Sequence, residues 1–179
     1  KNNKSNPVSD ETIHAASAKI QAPFDRQGGE NSYSLHAELQ EVTHNLVGII
    51  RTGAELKEAI AKIADIRKRS ANVAVAGGRK FNPGFHLAFD LDNMLLVAES
   101  TAKSADSREE SRGGHTRDDF PGMSNEWRQV NHISSFDGQK VNVRKQALPP
   151  MPKELFELFD VHELEKYMTP DEVAKGGSN

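Results

Sequence analysis

The chain has 179 residues and no cysteine, with 23 basic against 26 acidic side chains and a formal net charge of −3. These figures exclude a disulfide framework and any thiolate metal site. A net negative chain has no global pull toward nucleic acid. The longest apolar runs, such as Met94–Ala98, fall far short of the ~20 residues that span a bilayer, so no direct membrane insertion is expected. At ~100–200 residues per domain, the length fits one domain or slightly more. The start, Lys1–Asn6, has no initiator Met and no signal-peptide core, so the chain is expected to be a fragment or processed product with a loose polar start.

Taken in chain order, a first helix is predicted at about Asp10–Ala22. Ser9 or Asp10 caps it, Ile13, Ala16 and Ile20 share a face, and Pro23 ends it. Gln27–Asn31 is a loop by composition. The second helix is predicted from Tyr33 to Ile50, where Leu35, Leu39, Val42, Leu46 and Ile49 repeat at steps of four and three. Thr52 and Glu55 then form a capping-box signature, so a third helix starts almost at once and turns back on the second. It is predicted to reach Val75, with Leu56, Ile60, Ile63, Arg67, Ser70 and Val73 in line, and to stop at Gly77-Gly78. Asn82 as cap and Pro83 at the first helical position open a long fourth helix to Ser107, with Ala88, Leu91, Leu95, Ala98 and Ala102 along one side.

After Arg108 the pattern breaks. Glu110–Ser124 reads as a polar loop. Trp127–Phe136 and Lys140–Ala147 are predicted strands joined by the turn signal Asp137-Gly138. Leu148–Pro152 reads as an extended linker. One acidic helix is predicted at Lys153–Lys166, whose Leu155, Leu158 and Val161 need burial, and a disordered end follows at Gly176–Asn179. The fold class is therefore mainly α: an antiparallel three-helix, spectrin-repeat-like bundle, then a small β-hairpin and an irregular tail. The expected divisions are a segment with a short helix at 1–32, the bundle at 33–108, the loop and hairpin at 109–147, and the tail at 148–179.

Common chemical signatures are missing. No Gly-rich phosphate loop follows a strand, and the glycine pairs read as loop punctuation. None of the seven histidines has His-Glu-x-x-His spacing, and His115 with Asp118 and Asp119 reads as internal pairing rather than a metal site. No Gly-x-Ser-x-Gly elbow occurs. Arg67-Lys68-Arg69 reads as a solvated helix face. The dense stretch is Glu110–Pro121, rich in Arg, His and Asp. Such a connector is held by Arg–carboxylate pairs. It either locks the hairpin onto the bundle or holds the bundle onto something else.

Glu110-Ser111-Arg112-Gly113-Gly114-His115-Thr116-Arg117 resembles the Glu-Ser-Arg-Gly-Ala-His-x-Arg signature of the succinate dehydrogenase and fumarate reductase flavoprotein family. Asp119-Phe120-Pro121 matches the Asp-aromatic-Pro that often follows. Val47–Thr52, Leu91–Met94, and Trp127-Arg128 with His132 resemble further family segments, so the likeness covers about Leu35–Val143. The resemblance implies the carboxyl-terminal domain of a longer flavoprotein that interconverts succinate and fumarate. Hydride passes between succinate and FAD, and electrons pass on to an iron–sulfur subunit and to quinone at a membrane anchor. It implies a peripheral position on the cytoplasmic side of the membrane. It also implies that the FAD-binding and catalytic residues lie in upstream FAD and capping domains, with no catalytic, cofactor or metal residue in this chain. Glu110, Ser111, Arg112, Gly113, His115, Arg117, Asp119, Trp127, Arg128 and His132 are then structural or domain-docking residues. Gly114 in place of Ala, and a tail unlike the usual Arg-Pro-Val end, are departures. L-aspartate oxidase, which shares this end domain, and a stand-alone helical interaction module are the alternative readings.

Overall fold

The computed structural model describes residues 7–176. The expected loose start at Lys1–Asn6, and all but Gly176 of the expected disordered end, lie outside them. Helix α1 spans Asp10–Asp25, capped by Ser9. It runs through Pro23 instead of stopping there. Tertiary contacts hold its last turn: the Pro23 carbonyl accepts from Val75 N–H at 2.8 Å, and Phe24 lies 4.9 Å from the Phe85 ring.

The bundle is α2 (Ser32–Leu46), α3 (Gly53–Ser70) and α4 (Pro83–Ser107). Thr52 and Glu55 form the complete capping box that the sequence specifies, and Asn82 caps α4 as expected by accepting from Phe85 N–H. Asn31, read only as loop, accepts from the first turn of α2. Leu35, Leu39 and Val42 meet Ala59, Ile63 and Ile66, and both sets meet Leu91, Leu95, Ala98 and Ala102 in one core. Each large buried aliphatic side chain contributes about 1.5–3 kcal/mol, so this seam holds the three helices together.

Several expectations need correction. α2 stops at Leu46, four residues early. Beyond it the backbone extends as β1 (Ile50–Arg51), which pairs in parallel with β2 (Thr116–Arg117), and Ile49 and Ile50 are exposed. α3 stops at Ser70, not Val75. Val73 is buried, but as a bridge partner of Glu30 after the helix has ended. The buried line of α3 runs through Leu56, Ala59, Ile63 and Ile66, so Arg67 and Ser70 lie beside the core instead of in it. Trp127 lies on a helical turn, α5 (Asn125–Arg128), capped by Ser124, rather than on a strand. The hairpin itself is β3 (Val130–Phe136) against β4 (Val141–Ala147) in antiparallel register, with Phe136 opposite Val141.

The tail departs most. The predicted helix Lys153–Lys166 is two separate turns, α6 (Lys153–Phe156) and α7 (Val161–Leu164). Asp160 breaks it by accepting from His162 N–H at 2.8 Å, which restarts the chain as a new cap. A further turn, α8 (Pro170–Ala174), carries its own Thr169/Glu172 capping box. Leu164 is buried, whereas Leu155, Leu158 and Val161 are exposed.

Candidate functional site

The segment 108–132 lies where the ends of α2 and α4, the start of α3 and the base of the hairpin converge. A helix leaves its last four carbonyls without internal partners. α4 has no basic residue in its last turn. Arg117, arriving on β2, supplies the missing donors: its Nη1 bonds the carbonyls of Ala105 at 2.9 Å and Asp106 at 3.0 Å. Its other nitrogens grip Asp119 in a fork, both at 2.8 Å. The Arg117 side chain is 2% exposed. The Asp119 hydrogen bond raises its pKa, and Arg117 in turn holds the Asp119 carboxyl well below the usual range. Asp119 also accepts from Gly53 N–H at 2.9 Å, so one pair ties the end of α4 to the start of α3.

Glu110 is the centre of a second cluster. Its carboxylate has no exposure, and it accepts from Arg108, from Arg112 at 3.1 Å, and from Ser124 N–H at 2.8 Å. Burial pushes its pKa up, and the bonds from Arg112, Ser124 and Arg108 outweigh that and leave it lowered. Arg108 also reaches the carbonyls of Trp127 and Val130, and Arg112 reaches that of Ser124. Each guanidinium thus saturates backbone acceptors as well as the carboxylate.

His115 sits between the two clusters. Its Nε2 lies 2.9 Å from the Arg108 carbonyl and its Nδ1 lies 2.9 Å from Arg51. A carbonyl requires a proton on Nε2 and a guanidinium requires a lone pair on Nδ1, so the ring is the neutral Nε2–H form. Burial lowers its pKa, and Arg51, Arg108 and Arg117 add to the effect against the Arg108 carbonyl. The turn that places it is closed by Arg112 and His115, which exchange backbone bonds at 2.8 and 3.0 Å. Gly113 has φ +58° at the first central position, a conformation that favours glycine. A Cβ at Gly114 meets open space, so Ala fits there equally. Ser111 Oγ accepts from Arg117 N–H at 2.8 Å and donates toward the Phe120 carbonyl at 2.9 Å.

Trp127 is buried. Lys145 Nζ lies 3.6 Å from its ring centroid, Arg108 lies 5.5 Å away, and His132 stacks edge-on at 5.4 Å. Burial lowers the His132 pKa, and Arg108 adds to it. The Arg128 side chain instead bonds Glu172 in the tail, at 2.6 Å. The structure therefore gathers nine of the ten expected motif residues and sends Arg128 elsewhere.

Sequence reasoning missed Arg51, Gly53 and Arg108, which complete the clusters. It also missed Glu99, a buried carboxylate on α4 that pairs with Arg67 and Lys103 at 2.5 Å each and accepts from Val141 N–H at 3.3 Å. Arg67-Lys68-Arg69 is accordingly no simple solvated face. Arg67 joins the hairpin's anchor, and Arg69 binds Glu30 and Glu38 at 2.9 Å. Of these three residues, only Lys68 is exposed and outside the ion pairs of the described residues.

Residues 36–160 match the model of the family described as the fumarate reductase flavoprotein C-term. The chain belongs to that family. An uncharacterised FAD-dependent oxidoreductase of Methanocaldococcus jannaschii is 41% identical over 102 residues, 57% of this chain and 18% of that protein. The fumarate reductase flavoprotein subunit of Mycobacterium tuberculosis is 36% identical over 101 residues, 56% of this chain and 17% of its own. Mycobacterium smegmatis Sdh1, solved in complex with UQ1, superimposes with a TM-score of 0.83 at 46% identity, covering 93% of this chain and 29% of Sdh1. The chain thus spans less than a third of each of these relatives.

The family implies FAD, and the residues here do not fit it. A dinucleotide sits on helix N–H groups that follow a strand and a glycine turn. Among the long helices, α3 alone follows directly on a strand, and its Gly53 N–H already holds Asp119. No group of three or more His, Asp or Glu among the described residues is placed to hold a metal ion. No helix of the described residues is long and apolar enough to cross a membrane.

Proposed function

We propose that this chain is the carboxyl-terminal helical domain of a flavoprotein that oxidises succinate to fumarate, or runs the reverse, with FAD bound by domains upstream. Electrons then pass to an iron–sulfur subunit and to quinone at a membrane anchor on the cytoplasmic side. The observation that carries this reading is the overlay on Mycobacterium smegmatis Sdh1 along 93% of the chain at 46% identity. Within that enzyme the chain is a brace. Glu110, Ser111, Arg112, Gly113, His115, Arg117, Asp119, Trp127 and His132 close the bundle and fix the hairpin, and Arg128 fixes the tail. The geometry favours this role because the charged groups of the loop are spent on helix-end carbonyls and on each other.

The test is dye-coupled turnover by the full-length protein with succinate and with aspartate. Succinate turnover is expected, and aspartate turnover alone transfers the domain to an L-aspartate oxidase. Arg112→Ala in the same protein is expected to lower thermal stability while leaving the KM for succinate unchanged. A raised KM in a fully folded variant moves Arg112 into the substrate site and overturns the brace.

A further inference from the structure

The tail is a loop with both ends fixed at one place. Leu148 N–H bonds the Gln129 carbonyl at 2.9 Å. Glu172 returns to bond Arg128 at 2.6 and 2.7 Å and Gln129 Nε2 at 3.0 Å. Glu172 is held ionised, with a pKa of about 2, by the Thr169 backbone N–H and by Arg128. Residues 148–172 therefore leave the domain at the Gln129 backbone and rejoin it at the neighbouring Arg128 and Gln129 side chains. Inside the loop, Met151, Phe159, Leu164, Tyr167 and Met168 surround a cavity of about 480 Å³.

The outer crest is apolar. Leu158 is 77% exposed, and Leu155 and Val161 are about half exposed. Exposed apolar side chains grouped inside a polar rim mark an interaction surface. Its rim is acidic. Residues 153–172 carry seven carboxylates and two lysines, a charge of −5, whereas the whole chain carries −3. The rest of the chain is thus net positive, and the negative charge is concentrated here. Glu154, Glu157, Asp160, Glu163 and Glu165 are all exposed. Such a rim repels a nucleic acid backbone and an anionic lipid surface. It complements an apolar patch edged by lysine and arginine.

We propose that the crest of loop 148–172 docks a separate polypeptide through an apolar patch rimmed by lysine and arginine. The leucines and Val161 enter the patch, and Glu154, Glu157 and Asp160 steer and register the contact. Partner choice then resides in a segment that the bundle presents at the Arg128–Gln129 clamp without sharing in its core.

The experiment uses the full-length protein in its native complex, with a photoreactive benzoylphenylalanine in place of Leu158. Irradiation followed by mass spectrometry is expected to join this position to one other polypeptide at a peptide flanked by Lys or Arg. The double change E154K/E157K is expected to lower the crosslink yield at least tenfold. These two side chains are exposed, and an unchanged circular dichroism melt confirms that the fold survives. Crosslinks only to the same chain, to a second copy or to lipid overturn the proposal, as does an absence of crosslinks. A yield unchanged by charge reversal also overturns it. Dye-coupled succinate turnover is measured on the same preparation. Its failure removes the flavoprotein reading and leaves the docking result standing.

Discussion

Glu110→Ala removes the one carboxylate shared by Arg108 and Arg112. The wild-type side chain is fully buried, while the two arginines keep 20% and 26% exposure. Breaking a buried ion pair by deleting one partner costs about 3–5 kcal/mol, because the other charge stays behind unpaired. Here the arginines retain some water and their carbonyl partners, so the lower end applies, about 3 kcal/mol. The Ser124 N–H loses its acceptor in the same step. For a chain of this size, each kcal/mol moves Tm by about 2–4 °C, so a fall of about 6–12 °C is expected. Arg112→Ala leaves Glu110 bonded to Arg108 and Ser124 and is expected to cost less, about 1–3 kcal/mol. Circular dichroism melts of the 179-residue chain measure both. A Tm change under 2 °C for Glu110→Ala, or a larger loss for Arg112→Ala, refutes the assignment of Glu110 as the shared centre.

Gly53→Ala places a methyl 2.8 Å from Arg117 Nη2 and 3.1 Å from Asp119. Arg117 cannot retreat because it is fixed on Ala105, Asp106 and Asp119, so a loss of about 1–2 kcal/mol is expected, read from the urea midpoint. An increase in stability shows that the pair is free to move. Burial keeps His115 and His132 neutral, with folded pKa values below the unfolded value. Their contribution is complete above the unfolded histidine pKa of about 6.5 and is lost as pH falls toward the lower folded values. Tm is therefore expected to drop between pH 7.5 and 5.5, and less so in His115→Gln, which keeps a donor for Arg108 and an acceptor for Arg51. A Tm that rises on acidification, or an identical slope in the variant, contradicts the neutral ring. Glu99→Ala strips the anchor of β4 and is expected to speed amide exchange at Val141 at least tenfold, with the bundle core protected as before. Unchanged exchange at Val141 means the hairpin is held without Glu99.

What was legible in the sequence is local. Thr52/Glu55, Asn82-Pro83 and Asp137-Gly138 each specify a boundary through bonds within a few residues, and all three form as read. The core stripes are also local, since periodicity fixes which side of a helix is apolar. The errors arise where distant chain competes with local preference. Leu46, Ile49 and Ile50 continue the heptad, yet the carbonyls of Ile49 and Arg51 bond Thr116 and Asp118 instead of continuing the helix. Val73 keeps the apolar spacing of α3 after the helix has ended. In the tail, one Asp160 side-chain bond outweighs a helical pattern too short to stabilise itself. The site was half legible for the same reason. The motif's own pairs, Arg112 with Glu110 and Arg117 with Asp119, lie two residues apart. Arg51 is 64 residues from His115, Gly53 is 66 from Asp119 and Glu99 is 42 from Val141.

The arginines explain why a connector with so little regular structure is rigid. Its β1–β2 pairing is two residues long and contributes little by itself. Around it, the ends of α2 and α4 and the start of the hairpin present carbonyls that need donors. Arg51 bonds the Val47 carbonyl at 2.9 Å, Arg117 bonds Ala105 and Asp106, and Arg108 bonds Trp127 and Val130. An arginine has five donors in a fixed plane, so one side chain can serve two backbone segments and a carboxylate together. Lysine carries the same charge without the fork, and could not hold Asp119 with two parallel bonds while capping α4. The charge of the motif follows from this geometry. Four guanidiniums, those of Arg51, Arg108, Arg112 and Arg117, are brought in for their donors, and Glu110 and Asp119 offset part of the positive charge that comes with them.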